Sequence, residues 1–431
     1  MYRGIIKKYI PAALVAAAMA LIPPPAANAA VPPQQEYWQL LVSRYQASSE
    51  NYAEPLLEEF VVFRALYPRT VHGDSLAWMS GTLYEHRKNK PLALASYLKL
   101  LYVYPQSPLI RQAQERLDPL ASSRRRGITA LFADDKLEVL QDYVLRILER
   151  GVETEGGERG YFDFLLLLAD ASVKDLASYL VDQGRHYLYR AGYSWRADRV
   201  CVIIGDMQQL QKKWRSALLA YRSAAIVDPF GEAVGLALLR AGEVYLGPLK
   251  NYEMARTTLG EVVERYPAAM DAARASLLLA EVDLAEKSYE QAIVQLEDTA
   301  VRFPYPEIRI EAWEKAAWVY LKHLEDPQKA AAFYERIVQE HPEQTRSAEA
   351  LIHLGKLHEE RTGDMARAVQ AYRKLAELFP ENPLAPRYLY RAGELAEDKL
   401  KDSELAAEIY SQAAAGYPES DEGKKARKKL N

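Results

Sequence analysis

The chain has 431 residues, with 55 Lys and Arg against 59 Asp and Glu, a net charge of −4 and a single cysteine. That balance lacks the broad basic character of a nucleic-acid binder, and one cysteine excludes an internal disulfide.

The first segment addresses the protein. Arg3, Lys7 and Lys8 precede an apolar stretch from Tyr9 to Ile22, and Ala27-Asn28-Ala29 supplies a small-x-small cleavage pattern before Ala30. Together these read as a secretory signal over residues 1–29. The stretch contains Pro11 and falls short of the roughly 20 apolar residues of a membrane span. Removal of three cations takes the mature chain from −4 to −7. No cysteine follows the cleavage point, so the expected product is a soluble periplasmic or secreted protein, not a lipoprotein.

Residues 30–105 contain Pro68 and Pro105, 37 apart, each closing an apolar helical pattern. This region is expected to form helical hairpins. Residues 106–197 lose the pattern: 121–128 and 151–160 read as connections, whereas Leu137, Leu140, Val144 and Leu148 keep helical spacing and Phe162–Leu168 is nearly all apolar. Eroded helical hairpins or an inserted helical subdomain fit, since no strand-like alternation occurs.

From 198 to 420 the punctuation is regular. Pro229, Pro267, Pro304, Pro342, Pro380 and Pro418 follow one another at intervals of 38, 37, 38, 38 and 38. In the unit ending at Pro380, Leu351, Leu354, Gly355 and His358 share helical spacing, as do Ala368, Tyr372 and Leu375 on a second helix, with Thr362-Gly363-Asp364 between them. Gly tolerates the positive φ of a helix end, and Asp can cap the following helix. The small residue lets two backbones approach, the aromatic eight residues before the proline fills the remaining space, and the proline ends the second helix. Six such units are expected, followed by a basic tail at 421–431 with Lys424, Lys425, Arg427, Lys428 and Lys429, a polar cover for the last repeat.

These residues resemble tetratricopeptide repeats, whose pattern is Trp-x2-Leu-Gly-x2-Tyr, then Ala-x3-Phe, then Pro over about 34 residues. The units here are three or four residues longer, and their Tyr-Pro or Phe-Pro endings are similar to those of exported bacterial envelope proteins, loosely the outer-membrane assembly lipoprotein and the Tol-Pal-associated repeat proteins. The resemblance implies an all-α fold, an α-α superhelix of antiparallel hairpins whose first helices line a concave groove. Positions aligned on that groove are Trp78, Asp206, Glu243, Glu281, Trp318, Lys356, Tyr390 and Glu394, with Thr82, Val202, Leu239 and Leu277 beside them. An acidic ladder next to apolar residues implies a peptide or helix partner with basic and apolar side chains.

Catalytic chemistry is not legible. His353 and His358 stand five apart, on different helix faces, and His358 occupies a slot filled by tyrosine elsewhere. No phosphate-cradling glycine loop, nucleophile elbow or zinc pattern is present. The sequence therefore points to a non-enzymatic periplasmic scaffold without cofactor or metal, binding protein segments of envelope or secreted proteins and no nucleic acid. The competing reading is an accessory structural subunit of an outer-membrane export or cell-wall assembly complex.

Overall fold

The computed structural model describes residues 33–47, 53–122, 135–152, 154–191 and 196–430. The secretory-signal expectation therefore lies outside the described residues, as does the run Arg124-Arg125-Arg126. Every regular element among the described residues is helical, and the chain divides into two compact units, 1–249 and 250–431.

In the first unit the helices are α1 (Gln34–Gln46), α2 (Ala53–Leu66), α3 (Gly73–His86), α4 (Lys90–Val103), α5 (Ile110–Ser122), α6 (Asp135–Arg150), α7 (Gly157–Ala171), α8 (Ala177–Ala191), α9 (Ala197–Leu210), α10 (Trp214–Val227) and α11 (Val234–Leu246). The second unit holds α12 (Tyr252–Arg265), α13 (Met270–Ala285), α14 (Tyr289–Arg302), α15 (Pro306–Lys322), α16 (Pro327–Glu340), α17 (Thr345–Leu357), α18 (Met365–Leu378), α19 (Ala385–Leu395), α20 (Ser403–Gly416) and α21 (Asp421–Lys429). In this second unit each helix packs on the next in sequence, from α12 to α21.

Proline sets where the second helices stop. Eight of them end two residues before Pro68, Pro105, Pro229, Pro267, Pro304, Pro342, Pro380 and Pro418. The intervening residue leaves the helical region, as Tyr104 does at φ −128°, ψ 55° and Phe379 at φ −131°, ψ 59°. Its N–H still donates to the carbonyl four residues back, so the last turn closes before the proline ring forbids another.

The turn inside five of the hairpins is equally specified. Asn89, Asn251, Asp326, Asp364 and Asp402 each accept the backbone N–H three residues on, at 2.9–3.2 Å, which satisfies an otherwise orphaned donor. The residue before each cap has positive φ. Gly363 (71°) meets this without strain, whereas Lys88, Lys250, Glu325 and Lys401 adopt 50–57° at a steric cost. Part of the extra length of these repeats sits in π-turns, His358–Thr362 after α17 and Ala396–Leu400 after α19.

Inside the hairpins, tyrosine rings lie on bare backbone. A Cβ added at Gly81, Gly205, Gly355 or Gly393 would fall well inside 3 Å of the rings of Tyr97, Tyr221, Tyr372 and Tyr410 respectively. Those four tyrosines are buried. Each hydroxyl then donates to a carboxylate on the first helix or its π-turn: Tyr97 to Glu85 at 2.6 Å, Tyr221 to Asp206 at 2.7 Å, Tyr372 to Glu359 at 3.1 Å and Tyr410 to Glu397 at 2.9 Å. The expectation of an aromatic eight residues before every repeat proline needs one correction. Leu259 and Leu296 occupy that place before Pro267 and Pro304, both fully buried, because an aliphatic side chain also fills the gap but needs no hydrogen-bond partner.

The first unit is less linear. α7 returns to pack on α4, past the α5–α6 pair, and α8 reaches α2. The apolar run Phe162–Leu168 lies in α7, where Phe164, Leu165 and Leu168 are fully buried. The interior so formed encloses Lys99, 2% exposed, whose Nζ donates to Gln183 Oε1 at 2.6 Å and Tyr161 Oη at 3.2 Å. Both partners are neutral, and burial pushes the Lys99 pKa well below its ordinary value.

Two outcomes follow from this packing. Gly355→Ala gains about 1 kcal/mol of helix propensity but forces a methyl into the Tyr372 ring, at about 1–3 kcal/mol for overpacking. The net expectation is a lowered urea midpoint, and in a Tyr372→Ala background the same substitution raises it; equal effects in both backgrounds would refute the ring contact. For Lys99, the unfolded chain binds a proton up to its ordinary pKa of 10.5 while the folded chain does not, so stability rises with pH and is lost as pH falls below 10.5. Lys99→Met removes this slope, and its melting temperature should exceed that of the parent near neutral pH, with the gap closing toward pH 10.5.

Candidate functional site

The aligned positions lie on the first helices of the hairpins, α3, α9, α11, α13, α15, α17 and α19. On α3, Trp78 is half-buried and its ring lies 5.5 Å from that of Tyr97, which ties it to the hairpin interior. Thr82 is buried and its hydroxyl pairs with Tyr45 Oη at 2.8 Å.

Asp206 on α9 accepts the Tyr221 hydroxyl and stands 3.9 Å from Arg240 Nε. Burial raises its pKa, against the opposing pull of Tyr221 and Arg240. Glu243 on α11 takes Arg240 Nη1 at 2.9 Å. One guanidinium thus serves both of these carboxylates of the first unit. Val202 and Leu239, expected to line the face, are 1% exposed and belong to the core.

The second unit repeats the arrangement. Glu281 on α13 is ion-paired with Lys315 of α15, and Leu277 is buried. Glu394 on α19 pairs with Arg391 at 2.9 Å, and Arg391 also binds Glu359 at the end of the preceding first helix. Arg346 of α17 holds Glu314 of α15. The acidic ladder expected from the sequence is therefore already ion-paired, because a base two residues before the small residue (Arg240, Lys315, Arg391) meets an acid on the preceding first helix or its π-turn (Asp206, Glu281, Glu359). Sequence alignment alone missed these bases; the recurrence of Arg or Lys at that register was the available signal.

Two of the nominated groups remain open to solvent. Trp318 on α15 is 47% exposed, its ring edge-on to His323 at 5.0 Å, and His323 in turn stacks on Tyr289 at 4.2 Å. Lys356 on α17 is exposed, with Nζ 5.7 Å above the Tyr388 ring. Tyr390 is half-buried against Tyr410, ring centroids 5.5 Å apart, and burial raises its pKa.

Of the histidines considered for chemistry, His358 is buried and His353 is exposed. His358 is 1% exposed with Nδ1 3.0 Å from Thr362 Oγ1, and His353 stacks on Tyr334. Among the described residues no cluster of three or more His, Cys, Asp or Glu could hold a metal ion. Cys201 is fully buried, and burial, reinforced by Asp198, pushes its thiol up to about 12. A thiolate is needed for reaction with disulfide reagents, so Ellman's reagent at pH 8 should titrate no thiol in the native protein and one after denaturation. Rapid native labelling would contradict the packing of α9.

The repeats also match a known family. The tetratricopeptide repeat model matches residues 236–269, 311–343, 349–382 and 387–420. Among solved structures, a Pseudomonas aeruginosa protein named pilF is 20% identical, covering 54% of this chain and 97% of its own, with a TM-score of 0.34. The C-terminal part of a repeat-containing protein from Cytophaga hutchinsonii is 13% identical over 63% of this chain and 99% of its own, at 0.42. A tetratricopeptide repeat protein from Parabacteroides merdae is 14% identical over 69% and 99%, at 0.33. Among curated proteins, none matches this sequence.

Proposed function

From the premise that this chain is a tetratricopeptide-repeat protein, a scaffold fold for protein–protein interaction, we propose that it is a non-catalytic periplasmic scaffold that holds a peptide segment or helix of an envelope or secreted protein. The observation that carries the reading is Trp318, a large aromatic left 47% exposed on a first helix whose neighbouring positions are ion-paired or buried. A half-exposed indole provides apolar contact area with little rotamer entropy to lose, and such residues dominate interface energetics. Lys356, one repeat further on, adds an exposed cation, and Tyr390, one helical turn before the equivalent position in the next repeat, a partly open ring.

Because Glu243, Glu281 and Glu394 are matched internally, their contribution to a basic partner is small and screened by salt. Apolar anchoring is the main term in this proposal. The segment 106–197 is proposed as a helical insertion between the N-terminal hairpins (30–105) and the tandem array (198–420), since α7 packs directly on α4. Export rests on the residues of 1–29, and no helix among the described residues is long and apolar enough to cross a membrane.

Partner capture by crosslinking in the host, with mass spectrometry of crosslinked positions, tests the scaffold. Trp318→Ala is expected to weaken capture about tenfold or more while the melting temperature stays within about 3 °C. Retained capture, or a large fall in melting temperature, would show that the indole is only packing. The intact mass of the periplasmic protein should correspond to a chain starting at Ala30; a mass that includes residues 1–29, or recovery in the cytoplasm alone, removes the export proposal.

A further inference from the structure

The first unit contains a cavity independent of the repeat face. It measures about 120 Å³ and lies between α2 and α8, lined by Val61 and Arg64 from the former and Asp182, Arg185, His186 and Tyr189 from the latter. Its charges do not balance. Arg64 and Arg185 bring two guanidinium groups, against one carboxylate, Asp182, at 4.0 Å from Arg185 Nη1. Burial raises the pKa of Asp182 against the opposing pull of Arg185 and Arg64.

Arg185 also leaves a donor unused. Its Nε is shut off from solvent and meets no acceptor, so the outer nitrogens of this one-third exposed side chain are the part a ligand can reach. Deeper in the unit, Lys99 has only neutral partners, and the Tyr161 ring connects it to His186, centroids 6.0 Å apart. Burial, with Lys99, Arg64 and Arg190 nearby, holds His186 well below its ordinary pKa, so its neutral ring adds no further cation and supplies no counter-charge.

The complement to two guanidinium groups that share one carboxylate, beside an apolar wall, is a carboxylate on a hydrocarbon stem. The volume limits the stem, since ordinary ligand pockets span roughly 300–1,000 Å³. We propose that this cavity binds a small aliphatic carboxylate, its oxygens accepting from the outer guanidinium nitrogens of Arg64 and Arg185 and its stem lying against Val61 and Tyr189. Asp182 orients Arg185 from the other side. The site lies outside the repeat face and does not depend on the scaffold reading.

Calorimetric titration of the full exported chain with isobutyrate, isobutyramide and inorganic phosphate tests it. Isobutyrate should bind saturably, isobutyramide should give no heat, and phosphate should bind more weakly than isobutyrate. Arg64→Met and Arg185→Met should each weaken isobutyrate about tenfold or more, whereas Arg64→Lys keeps part of the affinity. Val61→Asp, at a position 41% exposed and so tolerant of a polar side chain, should abolish binding by placing a carboxylate at the cavity wall while the melting temperature stays near that of the parent. Trp318→Ala should bind isobutyrate as the parent does, which separates this site from the scaffold face. The proposal is overturned if isobutyrate gives no saturable heat up to about 20 mM, if the amide or phosphate binds as well, or if folded Arg64→Met and Val61→Asp bind unchanged.

Discussion

Where the first helix of a hairpin carries glycine, the ring of a tyrosine on the second helix occupies the space a side chain would have taken, and the remaining packing is arranged around that contact. A ring lying on bare backbone at Gly81, Gly205, Gly355 and Gly393 brings two helices closer than ordinary side chains allow. Burial of the ring forces its hydroxyl to find a partner, and Glu85, Asp206, Glu359 and Glu397 supply it. The same ring can reach the following hairpin, as Tyr372 does by stacking on Tyr388 at 5.0 Å. One close approach thus couples the inside of a hairpin to its neighbour, and the stack becomes a chain of nearest-neighbour contacts.

The carboxylates that serve these tyrosines also serve bases on the next first helix. Glu359 receives both Tyr372 and Arg391, and Asp206 lies between Tyr221 and Arg240. Charges that could have faced a partner are committed to register between repeats. In the proposed recognition face the main exposed group is apolar, Trp318, with Lys356 next in the series. A face of this kind selects by shape and hydrophobic anchoring more than by charge.

The first unit obeys different rules after Pro105. Once α7 returns to α4 and α8 to α2, helices far apart in sequence share an interior, and polar groups are enclosed with it. Lys99 and the Tyr161 hydroxyl both donate to Gln183 Oε1, whereas Gln183 Nε2 and Arg185 Nε are buried without an acceptor.

Much of this was readable in the residues. The stop two residues before each proline, the Asp or Asn cap, the small residue facing a tyrosine and the burial of Cys201 and His358 all depend on neighbours within one hairpin, at separations that sequence spacing reports. Alignment nominated Trp318 and Lys356 for the same reason, and both are exposed. Three things were not readable. Val202, Leu239 and Leu277 lie one helical step from the open face, and only the rotation of each first helix against its neighbours decides that they turn inward. The ion pairing of Glu281 and Glu394 depends on which long base reaches which acid across hairpins. The joining of Lys99, Tyr161 and Gln183, separated by up to 84 residues, depends on a long-range return of the chain that no local period encodes. The sequence by itself determined the repeat and its hairpins, because those follow from backbone sterics and short-range spacing; the tertiary structure alone decided which face stays open and where unpaired charge is enclosed, because both arise from contacts between helices distant in the chain.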